Sequence, residues 1–373
     1  MSQGTAYLPR SQFQVLLDTL RDAGYRCAGP QVRDGAIIFD TIDAVDSLPQ
    51  GMIEKQGPAS YRIEATTHDR YFSWANGPQA LKPFLFAAEE TLWTVTRDAD
   101  NHMDFTPVVP ESEHIAIIGV RGCDLAALRL QDQHFLQGDY LDPYYGARRK
   151  GLFLVAVNCS HPANTCFCVS TGDGPKANDG YDLVLSELDD GFIVGYGSER
   201  GRVVYERLNL QAVTAEQQHI ADEELILAGK SQQRSMPSTD VHAALFANLE
   251  HSHWDEVAER CLSCGNCTSV CPTCFCHAEI ERPALDGEHS EHSRRWDSCF
   301  TQGHSYIHGV TIRADTRLRY RQWMTHKLGS WHEQYGRSGC VGCGRCITWC
   351  PAGIDITEEV AVICSSEAAD NES

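Results

Sequence analysis

The chain has 373 residues, with 31 Lys and Arg against 51 Asp and Glu for a formal charge of −20, and it is 42% hydrophobic and 22% charged. That length holds about two or three domains with real cores, and the composition excludes a disordered chain. The acidic field repels phosphate backbones and anionic lipid, which argues against nucleic-acid or membrane-surface partners. Seventeen cysteines fall short of the roughly 8–10% of a small disulfide scaffold yet exceed what packing needs, so their placement decides between bridges and metal.

Residues 1–10 lack a basic segment followed by an apolar run, and no stretch approaches about 18 uninterrupted apolar residues. The expectation is a cytoplasmic chain whose thiols stay reduced and free to bind metal. Residues 11–24 place Phe13, Leu16, Leu17 and Leu20 at helical spacing and stop at Gly24, which predicts an amphipathic helix. Short apolar runs follow from 36 to about 120, closing on Ile115-Ala-Ile-Ile-Gly-Val120, a buried-strand pattern. Arg121-Gly-Cys123-Asp124 and a helical stretch over 125–135 then lead to a second strand-like run, Leu152-Phe-Leu-Val-Ala-Val157. Two apolar strands joined by a helix predict a βαβ-like unit.

Residues 229–239 are polar, with Ser, Gly and Pro, and read as a linker. The predicted fold is therefore α+β: an α/β-like N-terminal domain over 1–235, then a second domain over 240–364 whose two Cys-x-x-Cys-x-x-Cys-x-x-x-Cys-Pro runs, at 261–272 and 340–351, read as a bacterial two-[4Fe–4S] ferredoxin-like domain. That second domain would open with a helix over about 240–260 and carry a long insertion between its cysteine motifs. Residues 365–373 are expected to be a disordered tail.

The two motifs read Cys-Leu-Ser-Cys-Gly-Asn-Cys-Thr-Ser-Val-Cys-Pro over 261–272 and Cys-Val-Gly-Cys-Gly-Arg-Cys-Ile-Thr-Trp-Cys-Pro over 340–351. Both match the bacterial iron–sulfur run, in which three close thiolates serve one cubane and the fourth serves the other. The expected ligand sets are Cys261, Cys264, Cys267 and Cys350 for a first [4Fe–4S] cluster, and Cys340, Cys343, Cys346 and Cys271 for a second. Zinc knuckles are the alternative, but zinc does not require a fourth cysteine plus proline in both copies. Gly265 and Gly344 would serve a tight turn or avoid crowding the cluster.

Cys123 follows the first predicted strand, and Cys159, Cys166 and Cys168 follow the second, so all four would open on one edge of a parallel sheet, where α/β folds place ligands. They can hold a third [4Fe–4S] cluster, with His161 as an alternative ligand, or stay as four idle buried thiols. Cys274, Cys276 and Cys299 read as packing beside the first motif or as lining a site, and Cys27 and Cys364 stand alone. Residues 313–337 form the one basic stretch, with Arg313, Arg317, Arg319, Arg321, Lys327 and Arg337. It reads as a solvated face, as cations offsetting cluster charge, or as a docking surface for an acidic partner. His326, Trp323 and Trp331 are expected to be core or cluster-shielding residues rather than ligands. No flavin, nicotinamide, P-loop or nickel motif is visible.

With these residues in view, the sequence resembles the beta (iron–sulfur) subunits of soluble NAD(P)-coupled [NiFe] hydrogenases, or sulfhydrogenases, and their iron–sulfur relatives in anaerobic sulfite reductase. The resemblance covers nearly the whole chain and is carried by Gly119-Val-Arg-Gly-Cys-Asp124, the 158–168 segment, the 261–276 segment, Trp296-Asp-Ser-Cys299, His326-Lys-Leu and the 338–356 segment. It implies a non-catalytic protein passing electrons along its clusters, partnered by a flavin/NAD(P)-binding subunit, together with the hydrogenase large and small subunits. Two other functions compete with it: a relay for a sirohaem-bearing sulfite reductase, and a site that itself reduces polysulfide.

Overall fold

The computed structural model describes residues 4–75 and 77–365. Thirteen strands position the cysteines: β1 (Ala6–Pro9), β2 (Arg26–Arg33), β3 (Ala36–Thr41), β4 (Met52–Gly57), β5 (Ser60–Ala65), β6 (Glu89–Arg97), β7 (Met103–Pro107), β8 (Ile115–Val120), β9 (Leu152–Val157), β10 (Leu183–Glu187), β11 (Gly191–Tyr196), β12 (His277–Pro283) and β13 (His289–Trp296). Seven of them form one mixed sheet in the order β1-β11-β10-β9-β8-β2-β3. The centre, β10-β9-β8-β2, is parallel, and the strands outside it are antiparallel.

β8 and β9 are buried along their whole length, as strands covered on both faces must be. One face packs the helix Phe13–Asp22 through Phe13, Leu16, Leu17 and Leu20 against Phe153, Val155 and Phe192. The other packs the helix Gly122–Leu136 through Leu125, Leu128 and Phe135 against Ile117, Leu154 and Ala156. Each fully buried side chain of this size contributes roughly 1.5–3 kcal/mol of burial free energy. The helix predicted over 11–24, the two apolar strands and the helix between them are thus all present.

A second sheet, β12-β13-β6-β7, is antiparallel and joins strands from both sides of the linker at 229–239. Arg294 on β13 crosses to Glu90 on β6 at 2.8 Å, with both side chains buried. The β4–β5 hairpin reaches the second cysteine motif, where Ala59 N–H donates to the Ile347 carbonyl at 3.3 Å and Tyr61 stacks on Trp349. The linker is tied down as well: Gln232 accepts from Val169 N–H at 3.1 Å, and Arg234 pairs with Asp355.

The single helix predicted over 240–260 is two, Val241–Ala247 and His253–Arg260. Asn248 turns its side-chain amide back onto the Ala244 carbonyl, and Trp254 Nε1 donates to the Asn248 carbonyl, which holds the corner. The C-terminal core gathers Leu245, Trp254, Val257, Tyr320, Met324 and Ile356 beneath the cysteine motifs. Among the described residues no helix is long and apolar enough to cross a membrane. The tail expected after Ser365 lies outside the described residues.

Candidate metal centres

All seventeen cysteines are unbridged. The two ferredoxin-type motifs fold alike. In each, a left-handed glycine, Gly265 at φ +74° and Gly344 at φ +73°, turns the chain into a one-turn helix, Asn266–Ser269 or Arg345–Thr348. The turn is what demands glycine. A Cβ at Gly344 would stand 2.4 Å from the Thr165 carbonyl oxygen, and one at Gly265 would stand 3.0 Å from Ser298 Oγ. What glycine avoids here is crowding against neighbouring protein.

Cys261, Cys264, Cys267 and Cys350 line one hollow, with Cys346 also in its wall and Phe300, Tyr320, Trp323, Ile354 and Ile356 as its roof. The last cysteine of the second motif therefore faces the first three of the first motif. Cys271 answers in the other direction, lying among Cys340, Cys343 and Cys346. Backbone amides point at the sulfurs: Ile354 N–H lies 3.4 Å from Cys350 Sγ, and Gly342 N–H lies 3.5 Å from Cys340 Sγ. Such donors raise a cluster's potential by offsetting thiolate charge. Burial pushes the Cys340 thiol up to about 12, so a bound metal must displace its proton.

At the N-terminal sheet, Cys123 sits on the first turn of the helix that follows β8, and Cys159 follows the end of β9. Because β8 and β9 are adjacent and parallel, both thiols emerge on the same edge. Cys166 and Cys168 come back to that edge, and the four line a hollow whose wall also includes Cys343. Cys123, Cys166 and Cys168 are each 6% exposed, which leaves little water at the site. Burial pushes the Cys168 thiol up to about 12, while Gln232 Nε2 donates to its sulfur at 3.1 Å. His161 lies 3.9 Å from Glu54, whose own carboxyl burial pushes up to about 7. Glu54 accepts from Ala75 N–H at 2.7 Å, and Ala75 lines the hollow.

The two regions interlock at this edge. Phe167 N–H donates to the Gly342 carbonyl at 2.8 Å, and Thr165 Oγ1 meets Thr348 Oγ1 at 2.9 Å. Arg345, next to Cys346, pairs with Asp124, next to Cys123, at 2.8 Å, with both side chains 1% exposed. Arg121 donates to the Phe72 and Trp74 carbonyls at 2.8 Å and lies over the Trp74 ring. Sequence reasoning gives Arg121 and Arg345 no role of their own; the signal for both is their place inside a cysteine motif, Arg345 next to Cys346 and Arg121 two residues before Cys123.

The basic stretch is paired within the chain, partly at the surface and partly inside it. Arg317 and Arg321 reach Glu250, Arg319 donates to the Arg313, Ala314 and Phe300 carbonyls, and Arg337 pairs with Asp173. Lys327 is buried, 2.8 Å from Thr273 Oγ1, with Cys271, Cys274 and Cys340 around it. Lys327 thus fits a cation offsetting thiolate charge, while Arg317 and Arg321 form a solvent-facing pair with Glu250. Trp323 and Trp331 are core residues, and His326 accepts from Trp331 Nε1 at 3.1 Å. Cys27 packs alone beneath the helix Phe13–Asp22, and Cys364 packs alone against the C-terminal core.

Two family models, each described as a 4Fe-4S dicluster domain, match residues 260–354 and 225–275. Among curated proteins, the sulfhydrogenase 2 subunit beta of Pyrococcus furiosus is 36% identical over 242 residues, covering 64% of this chain and 71% of that protein. No solved structure matches. Donor chemistry, paired motifs and this relative agree: the chain is an iron–sulfur protein of the sulfhydrogenase beta-subunit family.

Proposed function

We propose that the chain is a non-catalytic relay carrying electrons between a flavin/NAD(P)-binding partner and the large and small subunits of a soluble [NiFe] hydrogenase. In this reading Cys261, Cys264, Cys267 and Cys350 hold one [4Fe–4S] cluster, and Cys340, Cys343, Cys346 and Cys271 hold a second. Cys123, Cys159, Cys166 and Cys168 hold a third. When bound, such clusters supply one-electron exchange at a potential set by charge, hydrogen bonds and burial. The chain is read as cytoplasmic, with residues 1–235 as the α/β domain that holds the third cluster and docks its neighbours. Residues 240–364 are then the dicluster domain, with 273–339 as its long insertion.

The observation that carries this reading is the position of Cys343. It stands in the second cysteine ring and also in the wall of the N-terminal hollow, where the Cys166 sulfur points at its carbonyl oxygen at 3.8 Å. A ligand shared between two walls leaves the two sites adjacent, which suits electron passage. The chain's own residues exclude water with Phe300, Tyr320 and Trp323 and balance thiolate charge with Lys327 and Arg345. A polysulfide-reducing site would need an exposed, reactive thiolate. Burial instead pushes the thiols of Cys123 and Cys166 well up.

Cys343→Ser in the intact complex tests the relay. Reduction of an artificial dye by NAD(P)H at the flavin partner should persist, while NAD(P)H-driven hydrogen evolution should stop. Unchanged hydrogen evolution would send the electrons by another route.

A further inference from the structure

Three cysteines beside the first motif, Cys274, Cys276 and Cys299, are in none of the ligand sets above, although the Cys274 thiol lies against that of Cys271 in the second ring, and their surroundings are not those of packing residues. The β12–β13 hairpin pairs His277 with Trp296, and one step beyond that pair Asp297 N–H donates to the Cys276 carbonyl at 2.9 Å. The hairpin thereby brings Cys276 to the start of the Asp297-Ser298-Cys299 segment, and Cys276 is among the charges that Cys299 feels most strongly. Cys274, two residues before Cys276, is buried.

A fourth donor comes from the turn Gln302–Ser305. His304 Nδ1 is bonded to Asp297 Oδ2 at 2.6 Å, and the same ring hydrogen-bonds the Cys276 thiol. With Nδ1 committed to a carboxylate, Nε2 is the nitrogen free to bind a metal. A carboxylate that fixes the tautomer and aims the ring is the usual support behind a ligating histidine.

Charge points the same way. Lys82 is buried and offers its ammonium only to the Thr268 and Ser269 carbonyls and the Trp296 ring, with Cys274, Cys271 and Cys276 nearby. Lys327 and Arg313 act on Cys299. Buried cations need anions, and neutral thiols supply none. Mononuclear zinc also accepts three cysteines and a histidine, but it draws sulfurs to about 2.3 Å from one point. Among the described residues no three Cys, His, Asp or Glu side chains converge in that way. The ferredoxin-type rings share this open spacing.

We propose that Cys274, Cys276, Cys299 and His304 ligate a further [4Fe–4S] cluster, with three thiolate ligands and one imidazole. Cluster binding releases to solvent three thiol protons and the proton that the bonds to Cys276 and Asp297 hold on the His304 imidazole, which then binds as a neutral ligand. A neutral ligand in place of a thiolate raises the potential, as histidine ligation does in other iron–sulfur centres.

The test is iron, sulfide and zinc per chain on the anaerobically purified full-length protein. Cys276→Ser and Cys299→Ser should each lower iron and sulfide by about four per chain, one cubane's worth, with no zinc found in the wild type. His304→Cys should keep the iron and shift that centre to lower potential in an EPR-monitored redox titration. Because a ligand variant can fail to fold, wild-type protein labelled with 15N-histidine is also reduced and its nitrogen couplings measured by pulsed EPR. A directly bonded histidine nitrogen is expected, and it should vanish in His304→Ala. Folded Cys276→Ser and Cys299→Ser proteins that keep wild-type iron, one zinc per chain at this site, or no bonded histidine nitrogen would each overturn the proposal.

Discussion

Two regions of this molecule gather the same donors by opposite means. The C-terminal motifs collect three thiols from seven consecutive residues, turned by Gly265 in the first and by Gly342 and Gly344 in the second, all left-handed, and need little from the rest of the fold. The N-terminal edge gathers Cys123, Cys159, Cys166 and Cys168 only because β8 and β9 lie parallel and adjacent and the 160–168 segment returns to them. A motif of the first kind is portable between proteins; a site of the second kind belongs to its sheet. The contrast also predicts fragility, since the N-terminal site depends on tertiary contacts with the C-terminal loops.

The largest test of that contrast is metal content. Cys166→Ser should remove about four iron per chain, whereas Cys27→Ser, at a lone buried thiol, should remove none; equal iron in both would reduce the N-terminal edge to packing. Next is the pin between the regions. Arg345→Met leaves Asp124 charged and buried without its partner, at a cost of about 3–5 kcal/mol. Thermal unfolding would read this loss, and the double variant with Asp124→Asn should lose less than the two single losses summed.

The N-terminal edge carries its own pH sensitivity. Glu54 has its carboxyl raised to about 7 by burial, so the folded state resists its ionisation. Its stability is full below the unfolded value near 4.5 and is lost as pH rises through about 7. Glu54→Gln should therefore stabilise the protein by about 3 kcal/mol at pH 8 and add almost nothing near pH 4.5. A gain independent of pH would exclude this carboxyl as the cause. The smallest effect is expected from Gly342→Ala. At φ +63° the new Cβ would meet the Cys168 backbone at 2.6 Å, a loss of about 2 kcal/mol that should come with looser binding of iron at both adjoining sites.

How much of this is legible in the sequence follows from where the information sits. The eight ferredoxin-type cysteines can be read because their spacing is itself the geometry. The N-terminal four can be read as residues following the two apolar strands of a βαβ-like unit, which already predicts one shared edge; what the sequence does not carry is Cys343 in the wall of that hollow, since it arrives from a distant loop. The His304 donor is hidden because β12 and β13 are polar strands, His-Ala-Glu-Ile-Glu-Arg-Pro and His-Ser-Glu-His-Ser-Arg-Arg-Trp, without the apolar alternation that announces a hairpin. For the same reason the linker at 229–239 does not reveal that β6 pairs with β13 across it. Asn248 breaks the helix predicted over 240–260 through a side-chain bond that no apolar period records.

One contact described above constrains how the protein comes to be made. The bond from Phe167 N–H to the Gly342 carbonyl, with no room for a Cβ between the Cys168 backbone and Gly342, seals the 160s loop against the 340s loop. Once that seam has closed, neither loop can lift without the other. If the third cluster proposed above occupies the pocket behind it, loading is expected to be easier in a chain still open at the seam. Air that later forces the seam reaches both neighbouring sites together, so their oxidative damage should arrive as a single event.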